Sequence, residues 1–564
     1  MNGLFSYLFS DKKYFRLALV IFITALGVRL FIFGILFFRL GEWSGLAWID
    51  ANNYMALARN LSLGNGFSLS DSLPFEPHTL RTPGYPVFLS LFYYLFGVYW
   101  PASLFEAVLN SFVPVFIFWL CLRITDNLKT SAIAGFLTVF DYHIAVHTLT
   151  LNTESIFVFI TVLAVVLIYQ YIETPSFKKA AVIGFLSGFA ALTRPFFYYA
   201  FPLIFIFLVI SSVRRNGVIL GVSEGTGAVR HPEGLARRVF NLLFRPFIAF
   251  RATTDAGFLA LLPLKARLAS GGRMMAPALC FLFIALALVV PWMYRNKQVS
   301  GQFTLSTLGW YNMYTRMAAM VNATVSQKSY IQSLEDLMNQ LKNEGHISRA
   351  DEHELFDVKF IPLLRERTLE ILKAHPKETV LVQLNSVQTL FTQDDLLYIL
   401  NHSQLLPDAV RPPIPLSLLL LQKGPSAWRD MLPYLKGQYL IPYIMRVVWL
   451  VFWVLSIFGA WVLVHPVRSP AKSIFEMKPE GEAGLRLPSS LNYAQPPTSN
   501  GASKKAMVYF LIALIFLTVL VSLPVSASLN ARYRVPFAPF YFIFVAAGIY
   551  DVFQRIRFFW SKFV

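Results

Sequence analysis

Long apolar segments recur along the whole chain and alternate with shorter polar ones. A helix that crosses a bilayer needs about 20 mostly apolar residues, and about ten segments approach that length. They lie near residues 15–38, 101–122, 131–149, 154–172, 179–193, 196–213, 274–294, 437–464, 506–525 and 536–552. Because only helices and closed barrels satisfy the backbone inside a bilayer, this pattern predicts an all-α polytopic membrane protein.

The polar segments divide the chain into three predicted parts. These are an N-terminal transmembrane module at 1–294, an extracytoplasmic helical domain at 295–436 and a C-terminal transmembrane module at 437–564. The middle part is mostly polar, and its periodicity predicts helices over Tyr330–Lys342, Asp351–His375 and Pro376–Leu390. It is therefore expected to bury a small core of its own.

Three polar segments belong to the transmembrane modules. They are a first outer loop at 41–100, a basic cytoplasmic insert at 214–273 and a cytoplasmic linker at 467–505 that is rich in proline, serine and charge. Within the outer loop, apolar spacing predicts short helices over Asp50–Leu61 and Pro86–Phe96. Asp50 stands where a helix N-cap is expected. Both helices are predicted to lie along the membrane surface.

Composition excludes a soluble protein, because 56% of the residues are hydrophobic, only 14% are charged, and the mean hydropathy is +0.54. In a soluble protein the net charge of +18 would suggest a nucleic-acid partner. Here the basic residues collect at both termini and in the predicted cytoplasmic loops, ten of them between Arg214 and Arg273. This distribution follows the positive-inside rule and indicates contact with anionic membrane lipids rather than nucleic acid. Cys121 and Cys280 both lie in predicted spans, so no disulfide is expected.

Few charged or titratable residues lie at the predicted outer membrane face. They are Asp50, Arg81, Asp141, His143, His147, Glu154, Arg194, Arg295, Arg532 and Arg534. Carboxylates together with arginines at this depth suit the transfer of a sugar from a polyprenyl phosphate. The attacking hydroxyl needs a base, and the leaving lipid phosphate needs fixed cations, for which the planar guanidinium is well shaped. Since the lipid stays in the bilayer, these groups must lie at the membrane surface.

Six short motifs in this region also carry a family resemblance. They are Asp50 with Tyr54, Arg81-Thr-Pro-Gly-Tyr-Pro86, Thr153-Glu154-Ser155, Leu192-Thr-Arg-Pro195, Pro291-Trp-Met-Tyr-Arg-Asn296 and Arg532-Tyr-Arg-Val-Pro536. With these six motifs in this order, the sequence resembles the GT-C class of glycosyltransferases. The likeness is to bacterial protein mannosyltransferase-like and lipid A aminoarabinose transferase-like enzymes in particular. The resemblance covers about 1–200 and the segments around 291–312 and 526–550.

The resemblance implies roles for individual residues. It makes Asp50 the catalytic base, gives Glu154 a second acidic role in the site, and assigns the carrier phosphate to Arg81, Arg532 and Arg534. Further candidates for contact with substrate are Tyr54, Tyr85, Asp141, Arg194 and Tyr533. Many relatives have two adjacent acidic residues in the first loop, but here Ala51 follows Asp50. The division of labour between Asp50 and Glu154 therefore stays open.

Each assignment has a simpler structural alternative. Asp50 could serve only as an N-cap, and the arginines could be interfacial anchors. His143 and His147 have the i, i+4 spacing of a divalent-metal site. For these histidines, polar lining of a substrate cavity is the favoured interpretation, and no metal or other cofactor is assigned.

The combined hypothesis is a membrane enzyme that displaces a sugar from a polyprenyl-phosphate carrier with inversion. The acceptor would be a lipid, a protein or a glycan, and the site would face the periplasm or exterior of a bacterial inner membrane. One alternative is a transporter or flippase of lipid-linked saccharides, which should carry ionisable groups deep in its spans. Arg29 and Arg446 are the main residues at such depth. Another alternative is a surface-polysaccharide polymerase or ligase that uses a diphosphate-linked donor.

Overall fold

The structure is a computed structural model that describes most of the chain. The described residues are 11–40, 49–147, 150–219, 271–350, 352–402, 405–406, 416–432, 437–465, 501–526 and 531–561. Most of the basic insert predicted at 214–273 and most of the linker predicted at 467–505 lie outside these residues. The described part of the chain is helical and contains no β-strand beyond one antiparallel bridge, which joins Ser68 and Pro77.

The N-terminal part is built from ten helices, numbered over the described residues. They are α1 (Lys12–Leu40), α2 (Ile49–Ser62), α3 (Gly84–Phe96), α4 (Trp100–Thr125), α5 (Leu128–Phe140), α6 (Tyr142–His147), α7 (Thr153–Glu173), α8 (Phe177–Thr193), α9 (Phe201–Ile219) and α10 (Gly271–Ser300). Most of α4 and α7 is buried, so these two helices lie at the centre of the bundle. Helix α1 exposes much of its apolar surface, as expected of a helix that faces lipid.

Eleven further helices follow. They are α11 (Leu308–Asn312), α12 (Ala319–Ser326), α13 (Tyr330–Asn343), α14 (Ile361–Ala374), α15 (Pro376–Thr392), α16 (Leu396–His402), α17 (Leu416–Lys423), α18 (Ala427–Met431), α19 (Leu440–Val464), α20 (Gly501–Ser526) and α21 (Ala538–Trp560). Helices α11 to α18 form the outer region. Part of it packs around an apolar cluster that includes Tyr314, Leu337 and Leu364. The helices predicted over Tyr330–Lys342 and Pro376–Leu390 are present. Of the helix predicted over Asp351–His375, only Ile361–Ala374 is α-helical, and two short 3₁₀ turns, Glu352–Phe356 and Val358–Phe360, precede it.

Among the described residues, seven helical stretches are long and apolar enough to cross a membrane. They are Lys12–Arg39, Trp100–Thr125, Thr153–Glu173, Pro195–Ser212, Met275–Ser300, Leu440–Val464 and Gly501–Leu523. The other three predicted spans coincide with α8, with α21, and with α5 and α6 taken together. The prediction of a polytopic all-α membrane protein is confirmed.

Two local predictions were wrong. The span predicted at 131–149 is interrupted, because α5 ends at Phe140 and Asp141 is extended. The Asp141 side chain accepts a hydrogen bond from the backbone N–H of His143 at 2.9 Å, and such local bonding competes with a continuous helix. Asp50 does not stand at an N-cap, since α2 begins at Ile49 and places Asp50 in its first turn.

Helices α19 and α21 approach each other so closely that their backbones touch. A Cβ atom on Gly548 would lie 2.2 Å from the carbonyl oxygen of Leu455. A Cβ atom on Gly459 would lie 2.7 Å from the backbone nitrogen of Gly548 and closer still to the carbonyl oxygen of Phe544. Small residues permit such contact between membrane helices, where van der Waals packing rather than the hydrophobic effect drives association.

We therefore expect Gly459→Val to lower the thermal unfolding midpoint of the detergent-solubilised protein. The helices must move apart, and overpacking of this kind costs about 1–3 kcal/mol. Gly27→Ala is the matched control, because Gly27 lies in α1 with open space around its Cβ position and alanine favours a helix. Equal midpoints for Gly459→Val and the wild type would contradict the close contact.

Candidate active site

Asp50 lies between two arginines that come from distant parts of the chain. Arg81 donates from Nη2 to Asp50 Oδ1 at 2.5 Å, and Arg532 donates from Nη2 to Asp50 Oδ2 at 2.5 Å. Arg81 precedes α3, whereas Arg532 belongs to the short 3₁₀ turn Ala531–Arg534 before α21. The carboxylate therefore uses both of its oxygens to join the first outer loop to the start of the last long helix.

Glu154 is the second carboxylate of this cluster and lies in the first turn of α7. Its Oε1 is 2.8 Å from Arg194 Nη1 and 3.5 Å from Arg532 Nε. Arg194 follows the end of α8, and its guanidinium lies over the rings of Phe157 and Phe196. Glu154 is 1% exposed. Because Arg532 contacts both Asp50 and Glu154, it connects the two acidic groups.

Three guanidinium groups and two carboxylates make up this ion-pair cluster, which leaves one positive charge in excess. Burial by itself would raise the pKa of the Asp50 carboxyl, but Arg532 and Arg81 outweigh that effect and hold the pKa below its usual range. Burial by itself would lower the pKa of Arg532, but Asp50 and Glu154 reverse the effect and raise it. Asp50 and Arg532 are therefore charged at neutral pH.

Three tyrosines lie beside these charged groups. The Arg81 guanidinium lies 5.4 Å from the ring centroid of Tyr54, and the Tyr54 and Tyr85 rings meet edge to face with centroids 5.4 Å apart. The Arg532 guanidinium lies 5.8 Å from the ring centroid of Tyr533. All three tyrosines predicted to contact substrate therefore adjoin the ion-pair cluster.

Glu106 is a buried acid that the sequence analysis missed. Tyr85 donates from its hydroxyl to Glu106 Oε2 at 3.3 Å, and Glu106 is fully buried in α4. It was overlooked because it lies inside an apolar run that reads as a span. The available signal was the presence of a lone carboxylate within that span, since such groups are costly in a membrane.

Arg534 and Asp141 lie apart from Asp50, in a second polar group. Arg534 donates from Nη1 to the carbonyl oxygens of Leu390, Phe391 and Gln393 at 3.3, 3.3 and 3.0 Å. Its guanidinium also lies 3.5 Å from the ring centroid of Trp449. Although Arg532 and Arg534 share one turn, they contact different groups, so the structure separates two residues that the sequence analysis had assigned one role.

The two histidines divide between these polar groups. His143 Nδ1 is 3.5 Å from Asp141 Oδ1, while His147 interacts electrostatically with Glu154. Among the described residues, no three His, Cys, Asp or Glu side chains are arranged to hold a metal ion.

A cavity of about 500 Å³ lies between α5, α19 and α21. Its walls are apolar and include Ile133, Phe136 and Phe452, and Asp141 and Tyr142 also line it. The cavity is partly open, and its shape and lining suit a hydrocarbon chain.

A comparison with known families adds to this geometry. Residues 80–223 match the sequence profile of a family described as dolichyl-phosphate-mannose-protein mannosyltransferase. This match supports a membrane glycosyltransferase of the GT-C type. It covers about a quarter of the chain and includes Arg81, Tyr85, Glu154 and Arg194, whereas Asp50 and Arg532 lie outside it. No curated protein sequence matches the chain significantly.

The buried pair of Glu154 and Arg194 can be tested by a double-mutant cycle. Arg194→Met removes the nearer cation from a buried carboxylate, a change that typically costs about 3–5 kcal/mol. We expect a marked fall in the thermal unfolding midpoint, and we expect Glu154→Gln to restore most of it when the two substitutions are combined.

The exposed pair of Lys328 and Asp336 provides the control for this cycle. These side chains are about half exposed and 2.6 Å apart, so Lys328→Met should cost less than about 1 kcal/mol. If Arg194→Met were as mild as Lys328→Met, the ion pair at Glu154 would have no structural importance.

Proposed function

We propose that this glycosyltransferase moves a sugar from a polyprenyl-phosphate carrier to a hydroxyl group of an extracytoplasmic acceptor. The observation that carries the proposal is the partly buried Asp50 carboxylate held between Arg81 and Arg532 at 2.5 Å each. The description of the matched family makes mannose the first donor sugar to test. The acceptor is a lipid, a protein or a glycan, and the proposed location is a bacterial inner membrane with the site facing the periplasm or exterior.

The charge of the site suits a lipid-phosphate donor. A sugar linked to a polyprenyl phosphate is a phosphodiester with one negative charge, and the cluster of Asp50, Glu154, Arg81, Arg194 and Arg532 has one positive charge in excess. When the sugar leaves, negative charge grows on the phosphate. Fixed guanidinium groups stabilise that change most strongly in a buried site. We assign the phosphate to Arg81 and Arg532.

Binding of the donor would also activate the base. In the free enzyme both arginines lower the pKa of Asp50 and so weaken it as a proton acceptor. A donor phosphate that engages Arg81 and Arg532 shares their positive charge, so the pKa of Asp50 rises. The base therefore becomes effective only when the donor is in place.

The proposed step is a direct displacement at the anomeric carbon. The acceptor oxygen forms a bond to that carbon while the bond from carbon to phosphate oxygen breaks, and the electron pair leaves with the phosphate. The acceptor proton passes to Asp50, and the configuration at the anomeric carbon inverts. Glu154, held by Arg194, would orient sugar or acceptor hydroxyls.

The tyrosines and the cavity complete the proposed substrate contacts. Tyr54 and Tyr533 lie beside the charged groups, and the buried Tyr85 packs against Tyr54. We assign all three to the substrate, because aromatic rings commonly pack against the apolar faces of sugars. The apolar cavity beside Asp141 is a suitable place for part of a lipid chain.

We expect Asp50→Asn to abolish turnover while leaving carrier binding intact. Removal of a general base costs roughly 10²–10⁴-fold in rate, whereas loss of the negative charge leaves Arg81 and Arg532 free to bind phosphate. The measurement is sugar release from radiolabelled polyprenyl-phosphate mannose and related donors, together with equilibrium binding of polyprenyl phosphate.

Asp71→Asn is the matched control for Asp50→Asn. Asp71 belongs to the same outer loop and pairs with Arg59 at 3.0 Å, but its side chain is 84% exposed, so its loss should leave turnover unchanged. If the wild type turned over no monophosphate donor but moved lipid-linked sugar across vesicles, the function would be transport.

A second prediction concerns pH. Arg81→Gln removes one of the two charges that lower the pKa of Asp50, so the pKa rises and the carboxylate becomes protonated at a higher pH. We expect the acidic limb of the profile of kcat/KM against pH, which reports the free enzyme, to move to higher pH. The KM for the donor should also rise.

Arg295→Gln is the control for this shift. Arg295 also contacts the first outer loop, where it donates a hydrogen bond to the carbonyl oxygen of His78 at 2.6 Å. It is not among the groups that lower the pKa of Asp50. An acidic limb that stays in place in Arg81→Gln would show that Asp50 is not the group that titrates.

A further inference from the structure

We propose that Arg534 is a positioning residue, which holds Arg532 against Asp50 by locking their shared turn to the outer region of the protein. The contacts of Arg534 with helix α15 and of Asp394 with the membrane helices form one unit, called here the outer latch (Tyr142, Asp394, Trp449 and Arg534). This proposal rests on the proposed function, and it replaces the phosphate-binding role that the sequence assigned to Arg534.

The first half of the outer latch is the end of helix α15. The last carbonyl groups of a helix have no partner within the helix and carry partial negative charge. Arg534 Nη1 lies within 3.3 Å of the carbonyl oxygens of Leu390, Phe391 and Gln393. The positive charge of Arg534 therefore lies against the negative end of α15. Arg534 is only 1% exposed, so water screens this interaction little. This contact joins the outer region to the start of α21.

The second half of the outer latch is Asp394, which follows α15. Its Oδ2 accepts a hydrogen bond from Trp449 Nε1 at 3.0 Å and another from the hydroxyl of Tyr142. Trp449 lies in α19 and also supports the face of the Arg534 guanidinium at 3.5 Å from its ring centroid. Residues from α6, from α19 and from the turn before α21 therefore converge on the end of α15.

The outer latch acts on Arg532 through a very short connection. Arg532 and Arg534 belong to a single 3₁₀ turn of four residues, Ala531–Arg534. The backbone N–H groups of Val535 and Phe537 donate to the carbonyl oxygens of Arg532 and Arg534 at 3.2 and 3.1 Å. With its far end fixed, the turn cannot rotate without moving Arg532 away from Asp50 and Glu154.

A guanidinium group suits this role because its flat face can stack on the Trp449 ring while Nη1 bonds to the three carbonyl groups. A lysine ammonium also has three N–H donors, but it is a compact, strongly hydrated charge without a flat face to stack. Within the described part of the chain, the Nη2 atom of Arg534 has no hydrogen-bond partner. Direct binding of phosphate by that atom is the competing hypothesis that the experiment must separate.

The test is Arg534→Lys, which keeps the charge and removes the planar group. If the outer latch positions Arg532, kcat falls by about tenfold to a hundredfold, as small misplacements of catalytic groups do. The donor KM rises too, because the proposed function assigns Arg532 to the carrier phosphate, so the pH profile separates positioning from direct phosphate binding by Arg534. The acidic limb of kcat/KM also moves to higher pH, because the displaced Arg532 no longer lowers the pKa of Asp50. Arg81 still faces Asp50, so this shift is partial.

Two variants accompany Arg534→Lys. Tyr142→Phe removes the hydroxyl group that donates a hydrogen bond to Asp394. It should lower kcat and move the acidic limb to higher pH, both by less than Arg534→Lys does. It replaces Arg534→Lys as the test if that variant does not fold. Glu173→Gln breaks the ion pair between Glu173, in the last turn of α7, and Arg123, in the last turn of α4. It is the control for general destabilisation and should leave the pH profile unchanged.

Two kinetic results would overturn the proposal. A donor KM raised about tenfold or more with an unchanged pH profile would identify Arg534 as a phosphate ligand. Unchanged kcat, KM and pH profile in both latch variants would show that the outer latch has no effect on Arg532.

Hydrogen exchange tests the outer latch without reference to catalysis. Peptides covering 531–537 should exchange faster in Arg534→Lys than in the wild type, and equal rates would contradict the proposal. If the wild type transferred no sugar from any monophosphate donor, the proposed function would fail, while this measurement would still decide whether Arg534 orders the turn.

Discussion

The two ion pairs of Asp50, one to Arg81 and one to Arg532, are the contacts on which the rest of the outer face depends. They join three segments that are far apart in the chain: the start of α2, the loop before α3 and the turn before α21. A charge withdrawn from water is costly unless it is well paired, so Arg81 and Arg532 both need the Asp50 carboxylate between them. This requirement brings the first outer loop and the C-terminal helices together at one place.

Arg532 extends the same constraint to the core of the bundle. Arg532 contacts Glu154 at the start of α7, and Glu154 in turn contacts Arg194 at the end of α8. Most of α7 is buried at the centre of the bundle, so the acidic and basic groups are attached to a rigid support. A site that must stabilise a leaving phosphate benefits from such support, because preorganised charges need no rearrangement during the reaction.

Membrane packing explains why the charges can be so concentrated. The helices meet through small residues, as at Gly459 and Gly548, and apolar side chains face outward along α1 and α19. The ionic groups of the site gather at helix ends and loops on one side of the bundle. A lipid-linked donor is confined to the bilayer and would present its phosphate at a similar depth.

Much of the site could be recognised from sequence. Asp50, Arg81, Glu154, Arg194 and Arg532 were all placed on the outer face, because polar residues at the ends of long apolar segments can lie only near the interface. The structure brings these five together in one cluster. Their individual roles in catalysis remain predictions, and the order of the apolar segments predicts only that they lie at the same side of the bundle.

Other features depended on contacts that no local pattern records. The break at Asp141 arises because its side chain bonds to the backbone of His143, which hydropathy over 131–149 does not reveal. Glu106 was hidden by the apolar run around it. Arg532 and Arg534 look equivalent in sequence, yet Arg534 meets carbonyl groups of α15, about 140 residues earlier in the chain.

The sequence by itself therefore determined the helical class, the positions of most helices and the gathering of the charged candidates at the ends of apolar segments. Apolar length and helical periodicity are local properties, and they are strong enough to specify those features. Only the tertiary structure decided which arginine pairs with which carboxylate and which one holds the outer region. Those choices depend on the distance and direction between side chains from separate segments, and these are set only when the helices pack.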